Sequence, residues 1–464
     1  MKLTRKQVLA GAAGVAALGS AGIYELVDQL SPAPARPAPA PLPPEQHLLG
    51  GVRIVRDNGV EVVVPPLHHQ LVTAKLRVAE VAKQLRAAQA ELEYALSQLE
   101  RTFPPSPAGL GITVAWGLPY FQRFVPGAAR THVPHDRRAG KSVLLDAVRF
   151  PSDPADTILE ENDVVVLLRS DSLDHIRVAA QSLFKELNLF EVTSIRRGFA
   201  GGGFDGKTSL PKQMATAAGI PGADLIPDTA ELFLGFTSTQ KAGLGPDKIA
   251  NLETLGYADL RDSGYFRHGT HLHVSHLFED VEAWYLNFDY RERVDTMFRP
   301  NLSVAPGVQT VPQGPANVST AAQVRHEFKL TGRIGHGAAI QSTSRLLSDV
   351  VAADGTVYPK GTAIPQRADF DTLDNPFAWS AAPARDGMAD GAAAGVHFVV
   401  FNPTSDDFHR NRLAMDGVLP DGKLPFAPRA RGQGFNAVLR TTHRQNFLVP
   451  PRRHRSFPLA EFQV

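Results

Sequence analysis

A strand-then-helix pattern that occurs four times along the chain is the sequence feature that most restricts its fold. The predicted strands alternate apolar and polar residues or are wholly apolar, and they lie at residues 111–116, 163–168, 270–275 and 395–401. Each strand precedes a stretch with helical spacing, at residues 119–125, 172–187, 280–286 and 406–415. Two copies of a strand-helix, strand-helix unit predict an α+β fold, in which each antiparallel sheet is covered by helices on one face.

The segment before the first copy predicts one long amphipathic helix. From Leu71 to Leu99, apolar residues recur at steps of three and four, with charged and amide side chains between them. Pro104, Pro105 and Pro107 end the stretch. The spacing suits a helix packed on the body of its own chain, and it also suits a coiled-coil seam.

The N-terminus has the layout of an export signal. Arg5 and Lys6 precede an uncharged run from Ala10 to Ile23, which is short for a membrane span. The layout resembles a twin-arginine signal, with Lys6 in place of the second arginine, and implies recognition by the twin-arginine export machinery. We expect a periplasmic or extracellular protein, with tethering to the membrane through an uncleaved signal as the alternative.

Composition narrows the classes of function. Lys and Arg number 48 against 47 Asp and Glu, so no overall charge favours nucleic acid, and we expect no nucleic-acid partner. The chain contains no cysteine, which excludes disulfides, thiolate zinc sites and cysteine nucleophiles. Its 464 residues suffice for two or three domains, and a homo-oligomer is left open.

A glycine-rich motif presents one carboxylate. Asp205 lies between Gly202, Gly203 and Gly206, and glycines on both sides allow positive φ and close approach by a flat ligand. This pattern points to a functional site, whereas the alternative is a simple Asp-Gly turn.

Several segments in the same order resemble the dye-decolourising peroxidases, a family of haem enzymes, from about residue 105 to the C-terminus. The resemblance rests on residues 108–112, 164–187, 197–199, 202–206, 280–284, 395–401 and 446–450. It implies two ferredoxin-like domains packed as a dimeric α+β barrel, with haem b as the cofactor. The implied activity is reduction of hydrogen peroxide with oxidation of organic donors such as dyes or phenolics.

The resemblance also implies roles for individual residues. Asp205 would move a proton between the two oxygens of peroxide, on backbone that Gly202, Gly203 and Gly206 bring close to the haem. Arg367 would stabilise charge on the departing oxygen, although Pro365 and Gln366 depart from the family pattern. The alternative for Arg367 is a surface position in a proline-bounded loop.

His336 is the candidate iron ligand, because haem peroxidases hold the metal through an imidazole. If the family's histidine pattern is aligned on residues 339–341 instead of on His336, the neighbouring residues fit it better, but an alanine then occupies the position of the iron ligand. The alternative function is therefore a catalytically degenerate protein of the same fold that binds haem or another ligand.

Two further groups of basic residues offer competing interpretations. His271 and His273 share one face of a strand near His268 and His276, which would suit a metal, although a hydrogen-bonded strand face is the alternative. The tail at residues 452–455 would contact haem propionates or solvent.

These observations divide the chain into five predicted segments: an export signal at 1–30, a Pro/Ala linker at 31–46, a helical extension at 47–106, and ferredoxin-like domains at 107–262 and 263–464.

Overall fold

The protein is seen here as a computed structural model that describes residues 23–31, 36, 42–136, 138–200, 209–237, 264–306, 310, 319–346, 348–351, 355, 357–374, 391–425 and 427–463. It has a mixed α+β fold built on one large, mainly antiparallel sheet, which confirms the predicted fold class at that level.

The described strands are β1 Arg53–Asp57, β2 Val60–Val64, β3 His68–Leu76, β4 Gly111–Gly117, β5 His135–Asp136, β6 Lys141–Ser142, β7 Ile158–Leu159, β8 Val164–Ser170, β9 Phe190–Phe199, β10 Thr270–Glu279, β11 Val350–Val351, β12 Val357–Tyr358, β13 Gln366–Arg367, β14 Phe370–Thr372, β15 Gly395–Asn402, β16 Val418–Leu419, β17 Gly422–Lys423 and β18 Leu439–Val449.

The described α-helices are α1 Glu25–Leu30, α2 Ala82–Thr102, α3 Leu118–Arg123, α4 Pro126–His132, α5 Leu173–Gln181, α6 Leu210–Ala217, α7 Val281–Asn287, α8 Tyr290–Met297, α9 Ala321–Thr331, α10 His336–Ser344 and α11 Ser405–Met415. A π-helical turn at Ser182–Glu186 continues α5, and short 3-10 turns lie at Ala223–Leu225, Arg452–His454 and Ala460–Phe462.

Eight strands of the large sheet close into a ring. Their hydrogen-bonded order is β10, β15, β14, β9, β3, β8, β4 and β18, and β18 pairs again with β10. The first half of the chain contributes β3, β4, β8 and β9, and the second half contributes β10, β14, β15 and β18. Apolar strand residues from both halves pack together inside the ring, and helices cover its outer face.

The long helix predicted from Leu71 to Leu99 requires a correction. Residues 68–76 form β3, which pairs with β8 and β9, and the helix α2 begins only at Ala82. β3 is buried along eight of its nine residues although five of the nine are polar, so apolar and polar residues do not alternate along it, and Leu71 and Ala74 matched the spacing of the helix that follows. The boundary predicted at residue 107 therefore separates β3 from the strands with which it pairs.

Within α2, the predicted stripe packs on the body of its own chain. Leu85, Leu92, Leu96 and Leu99 are buried with β4 and β8 residues in one core cluster.

The correspondence predicted between the strands of the two copies also changes. In the first half, β3 takes the place that β10 takes in the second half, whereas the prediction gave that place to the strand at 111–117.

The two halves meet at a joint that only glycine fits. Phe199 of β9 pairs with Asp371 of β14, and a Cβ atom on Gly198 would lie 2.1 Å from the Asp371 carbonyl oxygen. Gly198 therefore allows the two backbones to approach closely enough to continue the sheet.

Helix α1 belongs to the folded body, although it lies within the segment predicted as an export signal. Tyr24 is 2% exposed, and its hydroxyl donates to Asp374 Oδ1 at 2.9 Å. Ile23 and Val27 are buried in the same core cluster as Phe199. Among the described helices, none has the length and apolar character needed to cross a bilayer.

Many histidines are buried in and around the ring. Burial lowers the pKa of each of them, to about 3 for His47 and His271 and well below the ordinary value for His69, His273, His276 and His397. Nearby cations such as Arg169, Arg196 and Arg444 act in the same direction. The folded protein thus holds these imidazoles neutral.

We therefore expect stability to fall as the pH drops below about 6.5, the pKa of histidine in an unfolded chain. Below that pH the unfolded chain takes up protons that the folded chain excludes, at a cost of about 1.4 kcal/mol per pH unit for each such histidine. Denaturant unfolding between pH 7.5 and pH 4.5 measures this slope. His271→Gln should make it shallower, whereas substitution of exposed His135 by Gln should not, and equal slopes for all three proteins would contradict the interpretation.

Candidate functional site

A deep cavity lies against the outer face of the second half's strands. Its floor is formed by β10, β13, β15 and β18, and α10 and α11 contribute to the opposite wall. The cavity has two overlapping lobes, of about 100 Å³ and about 140 Å³. Its walls are mostly apolar with a few polar groups, as in sites that bind small molecules.

His336 lies at the start of α10 and lines both lobes. The preceding Gly335 is buried, and a Cβ atom there would lie 2.4 Å from the carbonyl oxygen of Phe298, so the close approach that sets this helix start requires glycine. The imidazole meets the ring of Phe435 edge to face, with a centroid distance of 4.1 Å.

The helical spacing of α10 determines which of its residues line the cavity. His336, Ile340 and Ser344 are four residues apart and line it together. Ala338 and Ala339 instead pack in a core cluster with Ala414 of α11. The alternative register therefore places its alanine in this packed core, and His336 is the imidazole that the helix presents to the cavity.

The electrostatics around His336 keep its imidazole neutral. Burial lowers its pKa well below the ordinary value, and the positive charges of Arg367 and Arg412 lower it further. Nδ1 is buried and lacks a hydrogen-bond partner among the described residues, whereas Nε2 is not buried in this way. A neutral imidazole with an accessible nitrogen can bind a metal ion held in the cavity.

Arg367 also lines both lobes. It lies on β13, where it pairs with Val400 of β15, so a strand of the sheet positions it. Burial lowers its pKa, and the neighbouring Asp369 opposes that shift. The structure thus brings Arg367 into the same cavity as His336, rather than placing it in a surface loop.

Asp205, Gly202, Gly203 and Gly206 lie outside the described residues. Their predicted roles therefore stay predictions.

Two arginines that sequence reasoning missed line the first lobe. Arg444 donates to Asp153 Oδ1 at 2.7 Å, and Arg412 donates to the same oxygen at 3.2 Å. Both guanidinium groups lie over the ring of Phe150, at 4.8 Å and 5.1 Å from its centroid. Burial lowers the pKa of Arg444 to about 10, so it remains charged at neutral pH.

The same lobe holds polar groups with unused hydrogen-bonding capacity. Nε and Nη1 of Arg444 and both amide atoms of Asn402 are buried without hydrogen-bond partners among the described residues. The N–H groups of Arg444 and the Nδ2 group of Asn402 can donate to a carboxylate on a ligand, whereas Oδ1 of Asn402 can only accept. No short sequence motif marks them, because only tertiary contacts bring β15, β18 and α11 together.

An acidic region lies at the other end of the cavity. Glu279, the last residue of β10, and Asp369 line the second lobe. Burial raises the pKa of Glu279 to about 8, so its carboxyl group is largely protonated at pH 7. Burial likewise raises the pKa of Asp371 behind it, with further contributions from Glu279, Glu231 and Asp369.

These features fit haem as a ligand. A planar apolar group with two carboxylates matches the apolar walls and the unused donors of Arg444 and Asn402, and the accessible nitrogen of His336 matches an iron ligand. One feature differs from the usual haem ligand of a peroxidase, whose imidazole a carboxylate makes more basic. Here two arginines lower the pKa of His336, and no carboxylate among the described residues raises it.

The other histidine cluster does not hold a metal ion in the described part of the chain. His271 and His273 do share one strand face, but both are fully buried. His273 bonds to Asn446 and Ser275 and stacks on Phe408 at 3.4 Å. Among the described residues, no group of three or more His, Asp and Glu side chains is placed to bind a metal.

The basic tail lies away from the cavity. Arg455 is 1% exposed and pairs with Glu100 at 2.6 Å and with Glu93 at 2.9 Å, and Arg452 also pairs with Glu100. Both acids lie on α2. Arg452 and Arg455 therefore hold the tail on this helix, whereas Arg453 is exposed to solvent, and none of the three lines the cavity.

Comparison with known proteins relates these features to two groups. Residues 66–353 match the sequence profile of DUF7405, which is described as a family of unknown function. No curated protein matches the chain. Among solved structures, a DyP-type peroxidase from Cellulomonas bogoriensis is similar, with 16% identity, a TM-score of 0.51, and coverage of 88% of this chain and 96% of that one.

Other solved structures are similar at lower scores. The encapsulated DyP-type peroxidase from Mycobacterium smegmatis has 13% identity and a TM-score of 0.48, with 85% and 95% of the two chains covered. A DypB variant from Rhodococcus jostii RHA1 in complex with haem has 13% identity and a TM-score of 0.46, with 84% and 95% covered. At such identities the likeness to the Cellulomonas bogoriensis protein shows a DyP-like fold alone.

Asp153 provides a test of the arginine pair. In Asp153→Asn, two buried guanidinium groups lose a shared counter-charge, so we expect the free energy of unfolding to fall by about 3–5 kcal/mol. Asp156→Asn is the matched control, because Asp156 is exposed and its pair with Arg440 should contribute at most about 1 kcal/mol. Urea unfolding of both variants measures the difference, and equal losses would contradict the assignment.

Proposed function

The chain belongs to the DUF7405 family, whose function is unknown, and we propose that it is a haem-dependent peroxidase that reduces hydrogen peroxide and oxidises organic donors such as dyes or phenolics. The observation that carries this proposal is that His336 and Arg367, which lie on different elements, line one mostly apolar cavity. The DyP-like fold is consistent with it.

The finer description of the fold belongs to the same proposal. Each half contributes four strands, in the ring orders β9, β3, β8, β4 and β18, β10, β15, β14. In both halves the first and third strands are the central pair, which supports two ferredoxin-like domains joined as a dimeric α+β barrel.

In this proposal the cavity holds haem b, whose iron supplies the redox chemistry. His336 binds the iron through its accessible nitrogen, and burial helps by keeping the imidazole neutral. The unused donors of Arg444 and Asn402 bind the propionate groups. The apolar walls exclude water and strengthen the electrostatic interactions inside the cavity.

Arg367 and Asp205 have separate tasks. Arg367 places a positive charge where negative charge develops on the departing oxygen, and the low local dielectric increases its effect. Asp205 accepts a proton from one peroxide oxygen and returns it to the other.

A second function rests on the surroundings of His336. Peroxidase chemistry benefits from a carboxylate that makes the ligand imidazole more basic, whereas Arg367 and Arg412 act in the opposite direction here. This observation favours a catalytically degenerate protein of the same fold that binds haem or another ligand.

We further propose export by the twin-arginine machinery to the periplasm or extracellular space, with membrane tethering through an uncleaved signal as the alternative. The basic start and apolar run at residues 5–23 support this localisation. The absence of nucleic-acid partners and the oligomeric state stay predictions.

Haem uptake by the full chain tests the proposal first. We expect the wild type to bind one haem with a Soret band, and His336→Ala to weaken or shift that band, with partial recovery on addition of imidazole. His132→Ala is the control, because His132 stacks on Phe462 away from the cavity. Absence of haem uptake by the wild type would overturn the proposed function, and an unchanged Soret band in His336→Ala would remove His336 as the ligand.

Steady-state oxidation of a dye separates the two functions. In haem-loaded protein, Arg367→Leu and Asp205→Asn should each lower kcat/KM for peroxide by about a hundredfold or more while leaving the haem content unchanged. Arg410→Leu is the control, because Arg410 pairs with Asp406 on the same helix and does not line the cavity. Haem binding by the wild type without peroxide turnover would instead support the degenerate function.

A further inference from the structure

The second lobe of the cavity has an acidic end that the proposed haem contacts do not use. Glu279 closes this end from β10 and is 6% exposed. Its Oε2 atom is buried and has no hydrogen-bond partner among the described residues. An unsatisfied carboxyl oxygen in a closed cavity costs free energy, which a ligand that binds to it can recover.

Charges around Glu279 favour a cation over an anion. Asp371 on β14, Asp369 beside it and Glu231 on the loop after α6 contribute further carboxyl groups to this region. Tyr285 of α7 faces the same acids, and burial raises its pKa, so it is neutral at physiological pH. Arg345, Arg367 and His336 line the lobe on the side of α10 and β13.

Aromatic rings form the wall beside this acidic end. Phe236 and Phe298 meet edge to face, with a centroid distance of 5.1 Å, and both line the lobe. Met297 and Leu234 complete the apolar surface. Such a wall suits a flat aromatic ring, and aromatic faces also attract cations.

We propose that the second lobe binds an aromatic ring that carries an alkylammonium group, with the ammonium group toward Glu279 and the ring against Phe236 and Phe298. That this cation is the organic electron donor rests on the proposed peroxidase function. Binding of the cation does not depend on that function, because every group that would contact it belongs to this chain.

The proposal also accounts for the division of charge along the cavity. Arg412 and Arg444 occupy the first lobe, where carboxylates of a ligand find unused donors. Glu279 and Asp369 occupy the second lobe, where an aromatic acid would meet carboxyl groups and be disfavoured. The first lobe therefore offers N–H donors to a carboxylate, whereas the acidic end of the second lobe favours a cation once Glu279 is ionised.

Calorimetry with phenyltrimethylammonium tests the proposal, because this aromatic cation does not titrate. The pKa of Glu279 is about 8. Between pH 7 and pH 9 its ionised fraction rises from about a tenth to about nine tenths, so the association constant should rise by up to about tenfold. Benzoate, an anion of similar size, should show no such rise, because ionised Glu279 does not attract an anion.

Two variants locate the effect. Glu279→Gln should weaken binding at pH 9 and abolish its pH dependence, whereas Glu282→Gln, an exposed position on α7, should behave as the wild type. If Glu279→Gln does not fold, the wild type alone decides: equal affinity for the cation at the two pH values, or the same rise in affinity for benzoate, would overturn the proposal.

The same titration on protein with and without haem separates the two proposals. Cation binding without haem uptake would support this inference and overturn the peroxidase. Haem uptake and dye oxidation without cation binding would support the peroxidase and overturn this inference.

Discussion

The ring of strands depends on two joints between the halves of the chain, and a glycine lies at each. At one joint β9 meets β14, and a side chain on Gly198 would collide with the backbone of Asp371. At the other, β4 meets β18 at Gly117, where a Cβ atom would lie 2.1 Å from the carbonyl oxygen of Asn162 in the same half and 2.9 Å from Nε2 of Gln445 on β18. Close backbone approach at Gly198 lets one sheet continue from the first half to the second, and the cavity then forms on the outer face of the ring.

The sequence predicted most of the fold correctly where an apolar run marks a strand or a regular spacing marks a helix. The strands at 111–117 and 395–402 and the helix at 405–415 lie close to the predicted positions. The strand at 68–76 could not be recognised, because five of its nine residues are polar although eight are buried, and Leu71 and Ala74 fit the spacing of the helix that follows.

The candidate site was predictable only in part, for a related physical reason. His336 and Arg367 were found through resemblance, and the structure brings them into one cavity. Arg444 and Glu279 were missed, since their local sequence differs little from that of other strand residues. Their chemistry comes from burial and from neighbours on other elements, which spacing along the chain does not encode.

The closed ring has a consequence for association between molecules. Each of its eight strands has hydrogen-bonded neighbours on both sides, but the two joints between the halves are short: β9 meets β14 through one residue pair and β4 meets β18 through two. Most of β9 and of β4 therefore has a partner strand on one side only among the described strands. Addition of a strand from another molecule would have to use these two sides, which adjoin the joints.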